Sequence, residues 1–202
     1  MSLWRGKLPL LLASQSRARQ MLLVNAGIAF EATPADIDER AVQQASRLSA
    51  PGEIAALLAR DKAFAVSARH RGRLVVGADQ TLALGFTLFS KPADRVQAKQ
   101  QLGALAGRTH ELHSAVAVVR DDRILFETVV IARMTMRALG EAEINAYLRE
   151  AGEAVISSVG AYQLEGLGIH LFERIDGDHF TILGLPLLQL LAFLRSERLL
   201  AV

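Results

Sequence analysis

The sequence contains no cysteine. This absence excludes disulfide bonds, thiolate metal sites and a cysteine nucleophile, because each of them requires a cysteine sulfur. A chain without cysteine is compatible with a reducing compartment, and we predict a cytoplasmic protein.

Long hydrophobic runs are also missing. The apolar run at 8–13 follows Arg5 and Lys7 as in a signal peptide, but it is too short for the hydrophobic region of one and leads into polar residues. Residues 182–194 are mostly apolar, yet glycine, proline and glutamine interrupt them, and they fall short of the ~20 residues that a membrane span requires. We therefore predict that the protein has no membrane partner.

The chain has little net charge. It carries 23 lysines and arginines against 21 aspartates and glutamates, a formal charge of +2 at pH 7. No basic tail or lysine–arginine stripe is present of the kind that neutralises a phosphate backbone. A nucleic acid polymer is therefore not an expected partner.

The apolar content is high enough for a sizeable core. Of the 202 residues, 51% are hydrophobic, which excludes a disordered chain. Apolar runs predict buried strands at 8–12 and 74–78. Apolar residues at helical spacing predict helices that end at Asn25 and that cover 53–68, 93–105 and 141–150.

In the second half of the chain, helical spacing of the apolar residues gives way to a pattern typical of strands. Stretches rich in β-branched residues at 110–119 and 123–136, joined by Asp121-Asp122, predict a long hairpin. A strand over 169–175 and a last helix from Leu185, with Pro186 in its first turn, follow. We predict an α/β fold with one mixed, twisted sheet flanked by helices. Residues 1–202 are expected to form one domain of two lobes, with the smaller lobe built around the 110–136 hairpin.

A polar turn, Ser14-Gln15-Ser16-Arg17-Ala18-Arg19, follows the first predicted strand. A helix N-terminus presents unpaired N–H groups, so two hydroxyls and a guanidinium beside it can bind a phosphate group. The turn is not a Walker motif, because it lacks the glycines and the Gly-Lys-Ser/Thr ending. The alternative is that Ser14 or Ser16 only caps the helix, and the spacing alone favours it.

Asp79 directly follows a buried strand that ends in Gly77-Ala78. Open α/β sheets bind ligands at the carboxyl ends of their strands, and the two small residues leave room for close approach. A buried carboxylate costs free energy unless a cation, a metal or a hydrogen bond compensates it. The alternative is a turn aspartate that caps the next element.

Three further charged positions are weaker candidates. Lys91 precedes Pro92 in a predicted turn, where an ammonium can neutralise phosphate charge, and Lys62 lies on a predicted helix, where lysines are usually solvated. The acidic run Asp36-Ile37-Asp38-Glu39 offers the hard oxygen ligands that suit Mg²⁺ or Mn²⁺. A solvated loop is the simpler interpretation of that run.

Glycines at 166 and 168 follow Glu165 and predict a constrained loop. Its carboxylate can accept two hydrogen bonds from the N1–H and N2 amino groups of guanine, although a hairpin turn with a solvated glutamate explains the pattern as well. The histidines predict no metal site: His110 and His113 are three apart on a strand and point to opposite faces.

Taken together and in order, these segments resemble the Maf family of nucleoside triphosphate pyrophosphatases. The resemblance covers essentially the whole chain. It is carried by Leu11-Leu12-Ala13-Ser14-Gln15-Ser16, Asp36-Ile37-Asp38-Glu39, Lys62-Ala63, Gly77-Ala78-Asp79, Lys91-Pro92, Gly107-Arg108-Thr109-His110, Gly160-Ala161-Tyr162 and Gly184-Leu185-Pro186-Leu187.

The resemblance implies two lobes around a nucleotide cleft and hydrolysis between the α and β phosphates, with a divalent cation, Mg²⁺ or Mn²⁺, as cofactor. Asp79 would orient or deprotonate the attacking water, and Glu39 and Asp79 would hold the metal. The implied triphosphate ligands are Ser14, Ser16, Arg19, Lys62 and Lys91.

Within the family, the chain is most similar to the 7-methyl-GTP pyrophosphatase branch, because Gln80 follows Asp79 and Glu165 precedes Gly166. The dTTP/UTP branch typically has Asp-Thr and Gln-Gly at these places. A carboxylate suits the two donors of a guanine edge, and 7-methylation makes that base cationic. Ala18 stands where this branch has a bulky aromatic residue, and Arg17 where the family usually has proline. Base specificity is therefore assigned to Ala18, Gln80 and Glu165.

Two other functions remain open from the sequence. One is a dTTP/UTP or broad-specificity nucleotide pyrophosphatase, and the other is a nucleotide-binding regulator of septum formation without turnover. The resemblance also implies a homodimer.

Overall fold

The structure is a computed structural model that describes residues 3–202. The elements are β1 (Leu10–Ala13), α1 (Arg17–Asn25), β2 (Phe30–Ala32), α2 (Glu39–Ser46), α3 (Pro51–Arg69), β3 (Val75–Leu84), β4 (Thr87–Phe89), α4 (Arg95–Leu105), β5 (Thr109–Arg120), β6 (Arg123–Met136), α5 (Glu141–Ala151), β7 (Phe172–Asp176), α6 (His179–Ile182) and α7 (Leu187–Ser196). The strands form a sheet in the order β2-β1-β3-β5-β6-β7, with β4 paired to β3. Parallel and antiparallel pairs both occur, so the predicted mixed α/β fold is confirmed.

The chain divides into two compact units. Unit 1 takes in the chain up to Gln80 together with Ser114–Val130 and His179–Val202, and unit 2 consists of Thr81–His113 and Ile131–Asp178. The predicted hairpin is the pair β5–β6, and its turn at Asp121-Asp122 is as expected. The middle of this hairpin belongs to unit 1 and its ends belong to unit 2.

The core of unit 1 surrounds β1, whose four residues are all buried. Leu10 and Leu12 pack in one cluster with apolar residues of α1 and α7. Leu11 and Ala13 pack in a second cluster with residues of α3. Because both faces of this parallel strand are covered, its sequence is a continuous apolar run and does not alternate.

Helix α3 packs against β3 with unusually close backbone contact at Gly77. A Cβ atom at this position would lie 2.0 Å from the carbonyl oxygen of Ala59 and 2.8 Å from the amide nitrogen of Ala63. No side chain fits in that space, so glycine is what allows the helix and the strand to approach this far. The approach fixes the position of Lys62, which precedes Ala63 on the helix.

The core of unit 2 contains a buried histidine. His110 is fully buried, and its Nε2 lies 2.7 Å from the hydroxyl oxygen of Tyr162. The ring of Phe172 packs against both side chains. Burial lowers the pKa of His110 to about 4, so it is neutral at pH 7. This histidine is part of the core of unit 2.

The prediction of a strand over 169–175 is wrong in its first half. Residues Leu167–Leu171 form a 3₁₀ turn, and β7 begins at Phe172. The carbonyl of Gln163 accepts hydrogen bonds from the amides of Gly166 and Gly168, which curls the chain here. The apolar, β-branched pattern cannot reveal this local bonding.

Several short elements and one boundary also differ from the sequence expectations. Elements β2, α2 and β4 were not predicted, and the last helix begins at Leu187, with Pro186 as its N-cap and α6 as a separate helix before it. Glu39 therefore lies on a helix and not in a loop. A three-residue strand carries too few residues to show a period.

The longest helix, α3, has 19 residues and contains Arg60, Asp61 and Lys62. Across residues 3–202, no helix combines the length and the apolar character needed to cross a membrane.

Replacing Gly77 by alanine should separate α3 from β3. We expect Gly77→Ala to lower the free energy of unfolding by about 1–3 kcal/mol, because the added methyl group has no room. Urea denaturation measures the change. The matched control is Gly103→Ala on α4, where a Cβ meets nothing within 4 Å. There the same substitution should stabilise by about 0.5–1 kcal/mol through helix propensity. Equal effects at the two sites would contradict the packing argument.

Candidate functional site

The candidate site lies in unit 1, where β1 ends beside β3, which continues past this point to Leu84. Strand β1 pairs with β3 in parallel, with Ala13 opposite Gly77. Ser14 therefore follows β1 beside the point where Ala78 and Asp79 continue β3. This is the edge at which open α/β sheets bind ligands.

The polar turn after β1 caps α1 and places two serine hydroxyls at the start of that helix. Ser16 is the N-cap residue, and its Oγ accepts a hydrogen bond of 3.4 Å from the amide of Arg19. The Oγ of Ser14, which is buried, accepts one of 3.2 Å from the amide of Ser16. Ser16 therefore caps α1, and the two hydroxyls lie at the N-terminus of a helix, where anions are favoured.

Arg19 is held by three acceptors. Its Nε donates to the carbonyl oxygen of Gly184 at 2.7 Å, and its Nη1 donates to the carbonyl oxygen of Ala78 at 2.8 Å and to the Oγ of Ser14 at 3.2 Å. Burial lowers the pKa of Arg19, and the charges of Asp79 and Glu39 oppose that shift. An arginine remains charged even so. Its Nη2 is the part of the guanidinium left to meet an anion.

Lys62 is a buried cation between two carboxylates. It is 8% exposed, unlike the solvated lysine that a helix position suggests, and its Nζ lies 2.6 Å from Asp79 Oδ1. The same Nζ lies 2.8 Å from Oε1 of Glu39 at the start of α2. The three side chains come from α2, α3 and β3, so the tertiary structure alone brings them together.

Asp79 is only 6% exposed. Burial raises the pKa of this carboxyl group, while Lys62 and Arg19 oppose the increase by favouring the charged form. A carboxylate that is less stabilised than one in water accepts a proton more readily. The alternative that Asp79 is a turn residue capping the next element is wrong, because Asp79 lies inside a strand that continues to Leu84.

The carboxylates also fit the predicted metal chemistry. Glu39 and Asp79 converge on one point, where Lys62 now supplies the positive charge. Mg²⁺ at nucleotide sites is commonly held by one or two carboxylates plus substrate phosphates and water. Within the described part of the chain, no group of three or more metal-binding side chains is present. The pair therefore fits a cation that the substrate helps to hold, and does not fit a metal caged by protein alone.

Gln80 was assigned to specificity, and the structure shows its amide bound to backbone. Its Nε2 lies 2.8 Å from Oγ of Ser114 and 3.0 Å from the carbonyl oxygens of Thr181 and Ile182. These partners fix the amide orientation, because the two carbonyl oxygens can only accept. Ser114, which is buried, was missed by the sequence analysis, since an isolated serine on a strand carries no signal.

The other predicted site residues have no such network. Ala18 lies in the first turn of α1. Lys91 is exposed between β4 and α4 in unit 2. Glu165, also in unit 2, is exposed in the turn that Gln163 closes, so the constrained loop predicted from its glycines is confirmed.

Comparison with known proteins settles the family. The sequence profile described as "Maf-like protein" matches residues 9–197. The chain belongs to the Maf family.

Several relatives are similar over all or nearly all of their length. A protein of Bradyrhizobium diazoefficiens named nucleoside triphosphate pyrophosphatase is 70% identical over 202 residues, which covers all of both chains. A protein of Brucella abortus named 7-methyl-GTP pyrophosphatase is 52% identical over 191 residues, 94% of this chain and 96% of its own. A solved structure, a HAM1 protein from Coxiella burnetii, matches with a TM-score of 0.42 and 18% identity over 65% of this chain and 74% of its own.

Removing one partner of the buried ion pair should cost more than removing both. We expect Lys62→Met to lower the free energy of unfolding by about 3–5 kcal/mol, because it leaves Asp79 charged and buried. The double variant Lys62→Met/Asp79→Asn should recover at least half of that loss. Chemical denaturation of the four proteins at pH 7 measures the cycle.

The control for this cycle is Lys99→Met, whose partner Glu141 is exposed. It should change the stability little, since solvent screens surface pairs. A double variant as unstable as the sum of the two single variants would show that Lys62 and Asp79 are not coupled.

Proposed function

We propose that this protein hydrolyses nucleoside triphosphates between the α and β phosphates, releasing a nucleoside monophosphate and pyrophosphate. The observation that carries the proposal is the pairing of two features at one sheet edge. Arg19 donates a hydrogen bond to Ser14 beside the end of β1, and Lys62 donates one to the buried Asp79 on β3. Relatives named nucleoside triphosphate pyrophosphatase that match over the full length support it.

Phosphate binding is assigned first to Arg19. Its Nε and Nη1 are fixed by backbone carbonyls, so the guanidinium needs no reorganisation when an anion arrives. The hydroxyls of Ser14 and Ser16 at the start of α1 add donors, and Lys62 adds a second cation. Lys91 is also proposed to bind the triphosphate, and the support for this assignment is its sequence motif alone.

Asp79 is the proposed base. Its Oδ1 accepts the hydrogen bond from Lys62, which leaves Oδ2 to accept a proton from the attacking water. The water oxygen then bonds to the α-phosphorus while the bond from the α-phosphorus to the bridging oxygen breaks, and pyrophosphate leaves. A divalent cation held by Glu39 and Asp79 would neutralise charge on the phosphate oxygens.

Base specificity is proposed to follow the 7-methyl-GTP branch. The support is the exposed carboxylate of Glu165, which suits the donor edge of a cationic guanine, and the Brucella abortus relative named for that activity. Ala18 provides no aromatic surface for stacking, and the Oε1 atom of Gln80 is the part of that amide that can meet a ligand. A pyrimidine nucleotide, dTTP or UTP, is the alternative substrate.

A substrate panel tests the activity. Purified protein should release pyrophosphate from at least one of 7-methyl-GTP, GTP, UTP and dTTP when Mg²⁺ or Mn²⁺ is present, and lose that release with excess chelator. Asp79→Asn should lower kcat by about 10²–10⁴-fold, because it keeps the shape and removes the base. Full turnover by Asp79→Asn would overturn its assignment. Nucleotide binding without pyrophosphate release from any substrate would favour a binding protein.

Exchanging the carboxylate of Glu165 for an amide tests the specificity. We expect Glu165→Gln to lower kcat/KM for 7-methyl-GTP by about 10–100-fold, because a charge-assisted pair of hydrogen bonds is lost. The kcat/KM values for UTP and dTTP should change much less. The control is Glu150→Gln, an exposed position on α5. An unchanged ranking of the three nucleotides in Glu165→Gln would refute the guanine-edge argument.

A further inference from the structure

The turn after α6 contacts both Gln80 and Arg19, which belong to separate sequence motifs. The amide of Leu185 donates to the carbonyl of Phe180 at 3.1 Å, and the amide of Gly184 donates to the carbonyl of Thr181 at 3.0 Å. Gly184 has φ of +88°, the left-handed conformation that glycine favours. These features define a Schellman motif, which fixes the direction of the chain leaving the helix.

Gln80 and Ser114 bind the carbonyls of Thr181 and Ile182 at the end of this helix. The last carbonyls of a helix lack partners within it, and α6 has only four residues. Gln80 Nε2 donates toward the carbonyls of Thr181 and Ile182 at 3.0 Å each. Ser114 Oγ donates to the Thr181 carbonyl at 2.7 Å and accepts from Gln80 at 2.8 Å. Ser114 and Thr181 are fully buried, so water cannot replace these bonds.

The same turn holds the phosphate-binding arginine. The carbonyl oxygen of Gly184 accepts from Arg19 Nε at 2.7 Å, the shortest of the three bonds to that guanidinium. A Cβ atom at position 184 would lie 3.2 Å from Arg19 Nη2. The turn therefore also packs against the guanidinium nitrogen that is left to bind a ligand. A shift of the turn would therefore move the guanidinium.

We propose that Gln80 and Ser114 are positioning residues for Arg19. They hold the 181–184 turn so that the Gly184 carbonyl aims the guanidinium toward a phosphate group. For the role of Arg19 toward phosphate, this inference rests on the proposed function. It goes beyond the assignment of Gln80 to base specificity, because the amide nitrogen is committed to backbone and Ser114.

A positioning role for Gln80 and a role in base recognition predict different results. If Gln80 acts through Arg19, its loss weakens binding of any polyphosphate, including one without a base. Inorganic tripolyphosphate is therefore the probe, and calorimetric titration in Mg²⁺ buffer measures its affinity without requiring turnover. Gln80→Met keeps the length of the side chain and removes the donors, and Ser114→Ala removes the hydroxyl alone.

We expect Gln80→Met and Ser114→Ala each to weaken tripolyphosphate binding by about 10-fold, since buried hydrogen bonds that orient a binding group are lost. KM for every nucleotide should rise by a similar factor, with a smaller change in kcat. In the Arg19→Ala background, Gln80→Met should cause no further loss of tripolyphosphate affinity. Thermal unfolding confirms that each variant is folded, and Gln44→Met, an exposed position on α2, controls for the substitution.

Three results would overturn the inference: tripolyphosphate affinity unchanged in both single variants, a full 10-fold loss that persists without Arg19, or no tripolyphosphate binding by the wild type. The substrate panel is read separately. If the wild type hydrolyses no nucleotide but the loss of tripolyphosphate affinity depends on Arg19 as expected, the positioning role stands and the proposed function fails.

Discussion

The close contact between α3 and β3 at Gly77 is the constraint on which the site depends. Because Ala59 and Ala63 meet the strand at glycine, the helix lies near enough for Lys62 to reach Asp79 at 2.6 Å. A larger residue at position 77 would push the helix outward and weaken the contact between Lys62 and Asp79, which adds to the loss of packing. The charge pair and the packing are therefore one feature.

The charges around this contact are nearly balanced. Arg19 and Lys62 face Asp79 and Glu39, so the cations are already compensated in unit 1. The two carboxylates differ, however, since the Glu39 side chain is 52% exposed and that of Asp79 only 9%. Separating the exposed carboxylate from Lys62 costs less free energy than separating the buried one, because water then solvates it. This asymmetry suits Asp79 to stay in place and Glu39 to adjust.

The elements that the sequence predicted well are those with a strong period or a clear boundary. Buried β1, the long helix α3 and the β5–β6 hairpin with its Asp121-Asp122 turn all appear close to where they are expected, although α3 already begins at Pro51. The failures are short or irregular. The segment before Phe172 is apolar, but the Gln163 carbonyl draws it into a 3₁₀ turn, and three-residue β2 is too short to show any pattern.

The α/β class, the polar turn at the start of α1 and the carboxylate that follows the apolar run of β3 can be predicted from the sequence, because each depends on residues close together in the chain. The contacts among these groups depend on the tertiary structure. It buried Lys62, which local patterns assign to solvent, and it joined Gln80, Ser114 and Gly184 to Arg19 across 165 residues. Burial and long-range hydrogen bonds depend on which elements pack together, and no local pattern records that.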